Sequence, residues 1–373
     1  MLAGLIVLLA LCAPALTEDS DDCGGAAAGL QRIAACTRII EDRTRSPGSR
    51  AIAYHGRAIA WTDSGDDDRA IADYDNAIAL DPDDIDAYNE RGQIWLDKGE
   101  NDSTISDFDR AIELDPGKAE TYYNRGRAWA HKGDDSRAIA DYSHAIEFDP
   151  AYFQAYNNRG FVFNRMGEFD RAIADFDETI SLDPQHPYAY NNRAISWGAK
   201  GDAERAVADY SQAITLDPTY VNPYGSRGIY YFYDREPAKA QADLAAAAEL
   251  APDNAYFAIW ADLAERRSGG ASHLRQAASR LDMARWPAPL VRMFLGEQTP
   301  EAALAAADDP VPVPAKKRGN LCEANLYVAE FYRLDGRDDE ALRRYRLAVR
   351  DCPHDFIEYV AAGKALRALG VSP

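Results

Sequence analysis

Pro82, Pro116, Pro150, Pro184, Pro218 and Pro252 stand 34 residues apart. With proline at about 5% of residues, five further hits by chance have a probability on the order of 10⁻⁷–10⁻⁶. The chain is therefore built from a repeated unit, and its fold must place one copy against the next. Asp precedes the first five of these prolines (Asp81, Asp115, Asp149, Asp183 and Asp217). Proline disfavours helical geometry in the residue before it, so each Asp-Pro pair reads as the stop of a helix.

Counted back from the prolines, six units run from Ala51 to Asn254. Each predicts two helices. On the first, the eighth position is always small (Ala58, Gly92, Gly126, Gly160, Ala194, Gly228) and the eleventh always aromatic (Trp61, Trp95, Trp129, Phe163, Trp197, Tyr231). Gly65, Gly99, Gly133, Gly167 and Gly201 follow where a left-handed cap would end that helix. The second helix carries Ala70, Tyr74, Ala77 and their equivalents at i, i+4, i+7, a spacing that puts them on one face. Across residues 51–254 these positions resemble the tetratricopeptide repeat family. The resemblance implies an all-α fold, a right-handed α-solenoid of tetratricopeptide helix hairpins with capping helices at its ends.

The seventh position departs from the usual apolar choice of that family. It is Arg in every unit (Arg57, Arg91, Arg125, Arg159, Arg193, Arg227), and the twenty-third is Asp (Asp73, Asp107, Asp141, Asp175, Asp209, Asp243). One lies on each helix, at heights where antiparallel packing could join them. The expectation is an internal Arg–carboxylate link, bidentate where geometry allows. The alternative is an arginine ladder that grips an acidic ligand. In the degenerate unit that begins at Cys322, Val328 and Arg344 take these two places, so both members of the pair are lost together.

Asp and Glu outnumber Lys and Arg by 61 to 41, a formal net charge of −20 over 373 residues. Such a surface repels phosphate backbones, and no basic stripe offsets it, so nucleic acid is excluded as a partner. The same field favours basic partners. Residues 2–16 form an uncharged apolar run, too short for a membrane span, followed at once by acidic residues. Ala13-Pro14-Ala15 fits a signal-peptidase site, so 1–16 reads as a signal peptide and the mature chain as periplasmic or secreted. The run lacks a preceding Lys or Arg, and a buried N-terminal helix is the alternative reading. A lipid-attachment signal would need a small residue before Cys12, where Leu11 stands, which argues against an anchor.

Without Cys12, four cysteines remain, and three connectivities are open: Cys23, Cys36, Cys322 and Cys352. Only Cys23–Cys36 with Cys322–Cys352 makes both links local. The second pair occupies the first and thirty-first positions of a last repeat, which antiparallel helices bring side by side. Unrelated buried thiols are the competing reading. Residues 17–50 form an N-terminal capping segment, with Ile33, Cys36 and Ile40 as an apolar stripe.

After 254 the period fails. Residues 255–321 read as a non-repeat helical connector, with helices at 255–267 and 272–284, a short stretch to Phe294, and one from Pro300 capped by Thr299. Residues 308–320, with Pro310, Pro312 and Pro314, read as a polar extended linker. Residues 322–373 give the final repeat-like unit and a helix over 356–369 (Phe356, Tyr359, Val360, Gly363, Leu366) expected to cap the open end. The stretch from Trp286-Pro287 through Phe294-Leu295-Gly296 and Thr299-Pro300-Glu301 to Cys322-Glu323-Ala324-Asn325 and Cys352-Pro353 resembles the new lipoprotein I (NlpI) family of bacterial envelope proteins. That family implies an exported adaptor that docks cell-wall hydrolases and a periplasmic protease.

In tetratricopeptide proteins the first helices line the concave face. The resemblance therefore implies a binding surface at Asn89, Gln93, Tyr123, Arg127, Asn157, Phe161, Asn164, Tyr188, Asn191, Ile195 and Phe232. Rings with amides suit an extended peptide, through stacking area and hydrogen bonds to its backbone. The alternative is a solvated wall whose rings pack between units. A carboxylate clamp of the chaperone-binding type is rejected: Asn124, Asn158 and Asn192 fit it, but His55, Asn89 and Asp86 replace its lysines. No metal-ligand spacing, nucleophile elbow, phosphate loop or dinucleotide fingerprint occurs, so neither a cofactor nor catalysis is expected. The expectation is a non-enzymatic adaptor for a protein or peptide partner, basic or with an exposed extended segment. A cytosolic scaffold and a hydrolytic enzyme are the alternatives.

Overall fold

The computed structural model describes residues 22–26, 29–308, 314–353 and 357–372. Residues 1–16, which the sequence reads as a signal peptide, lie outside these residues, as do Pro310, Pro312 and Phe356. Among the described residues the secondary structure is helical throughout, with no strand. The hairpins follow one another as an α-solenoid, in two compact units, Met1–Ala155 and Tyr156–Pro373.

In the first unit a short turn at Asp22–Ala26 leads to α1 (Leu30–Glu41). Three hairpins follow: α2 (Pro47–Asp63) with α3 (Asp67–Leu80), α4 (Ile85–Asp97) with α5 (Asn101–Leu114), and α6 (Ala119–Lys132) with α7 (Asp135–Phe148). The local signals act as the sequence predicts. The glycines that close first helices have φ between +77° and +86°, a region that penalises a Cβ. Asp66 and Asp134 then open the second helices, their side chains accepting from the Arg69 and Arg137 backbone N–H. Where the helices cross, the eighth residue must be small: a Cβ on Gly126 would lie 2.8 Å from Tyr142. The aromatic eleventh position takes a guanidinium from the second helix, with Arg137 3.6 Å over Trp129.

α1 packs on α2 through Ala35, Cys36, Ile39, Ile40 and Ala53, and a disulfide joins Cys23 to Cys36. Ile33 is only half-buried.

His55 of α2 adds a polar tie between hairpins. Its Nδ1 is 2.8 Å from Asp84 and its Nε2 3.3 Å from Glu90. Burial opposes charging, but the Asp84 and Glu90 carboxylates outweigh it and push the imidazole up to about 9 from 6.5. A raised value means that the folded chain holds this proton more tightly than the unfolded one. The contribution is complete below pH 6.5 and fades as pH rises through 9. Urea melts at pH 6 and pH 9.5 are expected to differ by about 2–3 kcal/mol through this group, and His55→Gln is expected to remove that share.

The second unit contains most of α8 (Phe153–Met166), paired with α9 (Phe169–Leu182) through the link of Arg159 to Asp175. α10 (Pro187–Ala199) pairs with α11 (Ala203–Leu216), and α12 (Val221–Tyr233) with α13 (Pro237–Leu250). α14 (Ala255–Arg267) follows as predicted. α15 (Leu274–Ala277) and a 3₁₀ turn at Ala278–Arg280 replace the longer helix expected over 272–284, with Leu274 and Leu281 still buried. α16 (Ala288–Phe294) and α17 (Pro300–Asp308) come next, and Thr299 caps α17 through the Ala302 N–H.

Two expectations are corrected here. α18 (Pro314–Leu334) begins eight residues before Cys322, so 314–320 is helix and not extended linker. Pro314 stands at its start, where the missing N–H costs nothing. α19 (Asp338–Asp351) completes the last hairpin, with Cys322 bonded to Cys352.

The second correction concerns α20 (Ile357–Ala368), which is more than an end cap. Ala361, Ala362, Ala365 and Leu366 join the core of α14 to α19, while Val360 packs with Ala194, Ala206, Tyr210 and Tyr230. Apolar residues on two sides place this helix against α10 and α12. Lys364 fixes it further by donating to both carboxylate oxygens of Asp234.

Candidate functional site

The Arg–Asp pairs form in all six repeats. Each arginine donates through Nε and Nη2 to the two oxygens of its aspartate, sixteen residues on, at 2.6–2.9 Å. The six aspartates are all buried. Held on these two nitrogens, the arginines are internal ties and not a ladder for an acidic ligand. A third contact had not been expected. Nη1 reaches the preceding hairpin, from Arg91 to Asp75, Arg125 to Asp109 and Arg193 to Asp177. Thr37 and Ser211 take the same role for Arg57 and Arg227. The twenty-fifth position of the units carries the clue: Asp75, Asp109, Ser143, Asp177 and Ser211. In the last hairpin Val328 is buried, and Arg344 donates instead to Asn325.

The predicted surface residues separate into two groups. In the first unit, Asn89 and Gln93 lie half-buried on α4. Asn89 accepts from the Thr121 hydroxyl at 2.8 Å, and Gln93 donates to Asp97. On α6, Tyr123 has its ring centroid 4.9 Å from that of Tyr152, with the Arg127 guanidinium 5.9 Å from the Tyr123 ring. In the second unit Phe161 of α8 and Tyr188 of α10 are the open rings, 41% and 48% exposed. Tyr188 leans on Tyr220 at 4.8 Å. Asn157 is half-buried and accepts from Asn192.

Three of the expected surface residues are buried instead. Asn164 is 1% exposed; it accepts from the Ser196 hydroxyl and donates to the Asn192 carbonyl, so it ties α8 to α10. Phe232 packs edge-on to Trp260 at 5.5 Å. Both occupy the twelfth position of their unit, as does buried Leu96, so in these repeats the position is a contact between hairpins. Asn191 is also buried, and Ile195 sits half-covered in the cluster that receives α20.

Models of the TPR repeat match residues 60–99 and 129–167, and tetratricopeptide-repeat models match 85–118, 187–220 and 153–186. These are tetratricopeptide repeats. A tetratricopeptide repeat protein from Parabacteroides merdae shares the fold, with a TM-score of 0.51 at 19% identity over 67% of this chain and 97% of that one. Similarity extends to the MamA protein, with 28% identity over 45% of this chain and 92% of that one and a TM-score of 0.43. YrrB, described as a TPR protein with an unusual peptide-binding site, matches at 21% identity over 54% of this chain and 97% of that one, with a TM-score of 0.45.

Tetratricopeptide geometry sorts the candidates by position. The second position of the unit is open in Ile52, Asp86, Glu120, Tyr188 and Asn222, whereas the twelfth is buried in Leu96, Asn164, Gly198 and Phe232. Among the described residues no cluster of three metal-ligating side chains occurs, and no helix is long and apolar enough to cross a membrane.

Proposed function

We propose that the chain is a non-enzymatic adaptor that holds an extended segment of a protein partner against its first helices. The observation that carries this reading is the pair of open rings, Phe161 and Tyr188, on the first helices of successive repeats, with the half-buried amide of Asn157 beside them. Rings left in water lose apolar exposure when a chain lies across them, and amides satisfy its backbone. In the first unit, Tyr123, Arg127, Asn89 and Gln93 offer the same chemistry. A net charge of −20 supports a basic partner.

The bacterial envelope is the proposed location. Two disulfides support an oxidising compartment, and the apolar run at residues 2–16 supports export. Within it, the partners proposed are cell-wall hydrolases or proteases, on the likeness of the C-terminal block to new lipoprotein I adaptors.

The test places a photo-crosslinking amino acid at 161 or 188 and, as a control, at Leu182 on a second helix, which is also exposed. Crosslinks to one and the same partner from 161 and 188, absent from 182, are the expected result. Equal labelling from all three positions would discard the proposal.

A further inference from the structure

A pocket of about 230 Å³ opens in the second unit between α10, α12, α14, α18 and α20. Its wall is aromatic: Tyr256, Phe257, Trp260 and Tyr327 line it, with Tyr327 6.0 Å from Tyr256 and 5.9 Å from Trp260 between ring centroids. Glu358, 7% exposed, is the one carboxylate among the lining residues. Asn191 also lines the pocket. It is 4% exposed, and its Oδ1 has no hydrogen-bond partner.

Buried acceptors of this kind normally have donors, and buried carboxylates have cations. Among the described residues, no Lys, Arg or His forms an ion pair with Glu358 or with its neighbour Glu323. Among the described residues Glu323 is served by two neutral donors, the Tyr256 hydroxyl at 2.5 Å and the Trp286 indole N–H at 2.6 Å. Aromatic faces attract cations, and a carboxylate together with an amide oxygen completes the acceptor set for an ammonium or guanidinium head. The volume is below the ~300–1,000 Å³ usual for small-molecule sites, so it suits one alkyl stem with a charged tip.

We propose that this pocket binds a single alkylammonium or alkylguanidinium group, carried by a lysine or arginine side chain of the partner or by a free amine. The side-chain source rests on the adaptor reading; the pocket chemistry does not. Burial and the Glu323 carboxylate push the Glu358 carboxyl above its ordinary range, so the pair is short of positive charge. A bound cation would supply that positive charge.

The probes are n-butylammonium and n-butylguanidinium chloride, with n-butanol as the neutral isostere, titrated into the full chain and followed by indole fluorescence and calorimetry. Saturable binding of both cations, at least about tenfold tighter than butanol, is expected. Glu358→Gln should weaken it about tenfold or more. Asn222→Trp, which fills the pocket from an exposed lining position, should abolish it, and this variant keeps the test valid if Glu358→Gln fails to fold. Butanol binding as tightly as the cations, or cations binding both variants as tightly as the parent chain, would overturn the proposal. A lysine peptide and its norleucine analogue separate the sources. Cation binding without peptide binding leaves the pocket and removes the adaptor reading. Peptide binding that depends on Phe161 and Tyr188 but ignores the lysine, with no cation bound, does the reverse.

Discussion

Asp141→Ala is expected to destabilise the chain by about 3–5 kcal/mol. Asp141 is 3% exposed and takes both bonds of a bidentate pair, from Arg125 Nε at 2.9 Å and Nη2 at 2.7 Å. Its removal leaves the guanidinium half-buried, with only the exposed Asp109 to answer it. Removing both charges should cost far less. For Asp107 and Asp175, burial outweighs the paired arginine and lifts the carboxyl above its ordinary range. Desolvation therefore consumes much of the attraction, and the pair fixes the register of the hairpin more than it adds net stability. Arg125→Met with Asp141→Leu is expected to recover most of the loss. Urea unfolding of the three variants checks this, and an Asp141→Ala chain as stable as the parent would remove the ladder as a structural device.

Reduction of Cys322–Cys352 is the second large effect expected. The bond closes a loop with a sequence separation of 30, and chain-entropy arguments give about 3–4 kcal/mol for a loop of that size. Both cysteines are buried in the core shared by α14, α18, α19 and α20, so α20 should loosen together with the hairpin. Cys352→Ser is expected to unfold at lower urea than the parent in the absence of reductant, and to match it once reductant is added. Equal midpoints without reductant would contradict this account.

The hairpins were legible because their signals are local and repeated. Asp-Pro stops, glycine caps and small eighth residues each act within a few residues of the chain. The Arg–Asp ladder was legible for a related reason: two fixed positions covary with the hairpin and vanish together at Val328 and Arg344. Position twenty-five carried a signal as clear, in Asp75, Asp109 and Asp177, but its partner lies in the following repeat and not in its own.

The C-terminal part was less legible because its contacts are distant. Nothing near Val360 announces that it will meet Ala194 and Tyr210. Of the residues expected on a binding surface, Asn164, Asn191 and Phe232 are buried in the stack. A polar residue at a first-helix position looks like surface, yet Asn164 is satisfied by Ser196 and Asn192 inside the stack. The apolar Leu96 and Phe232 at the same position of other repeats mark it as a contact.

Equilibrium binding tests the adaptor reading most directly. Peptides selected from a random library on the immobilised full chain would be titrated against the parent and against Phe161→Ala/Tyr188→Ala. The account predicts basic, extended sequences whose affinity falls at least tenfold in the double variant, while the chain stays folded because both rings are close to half exposed. Undiminished affinity in that variant would contradict it.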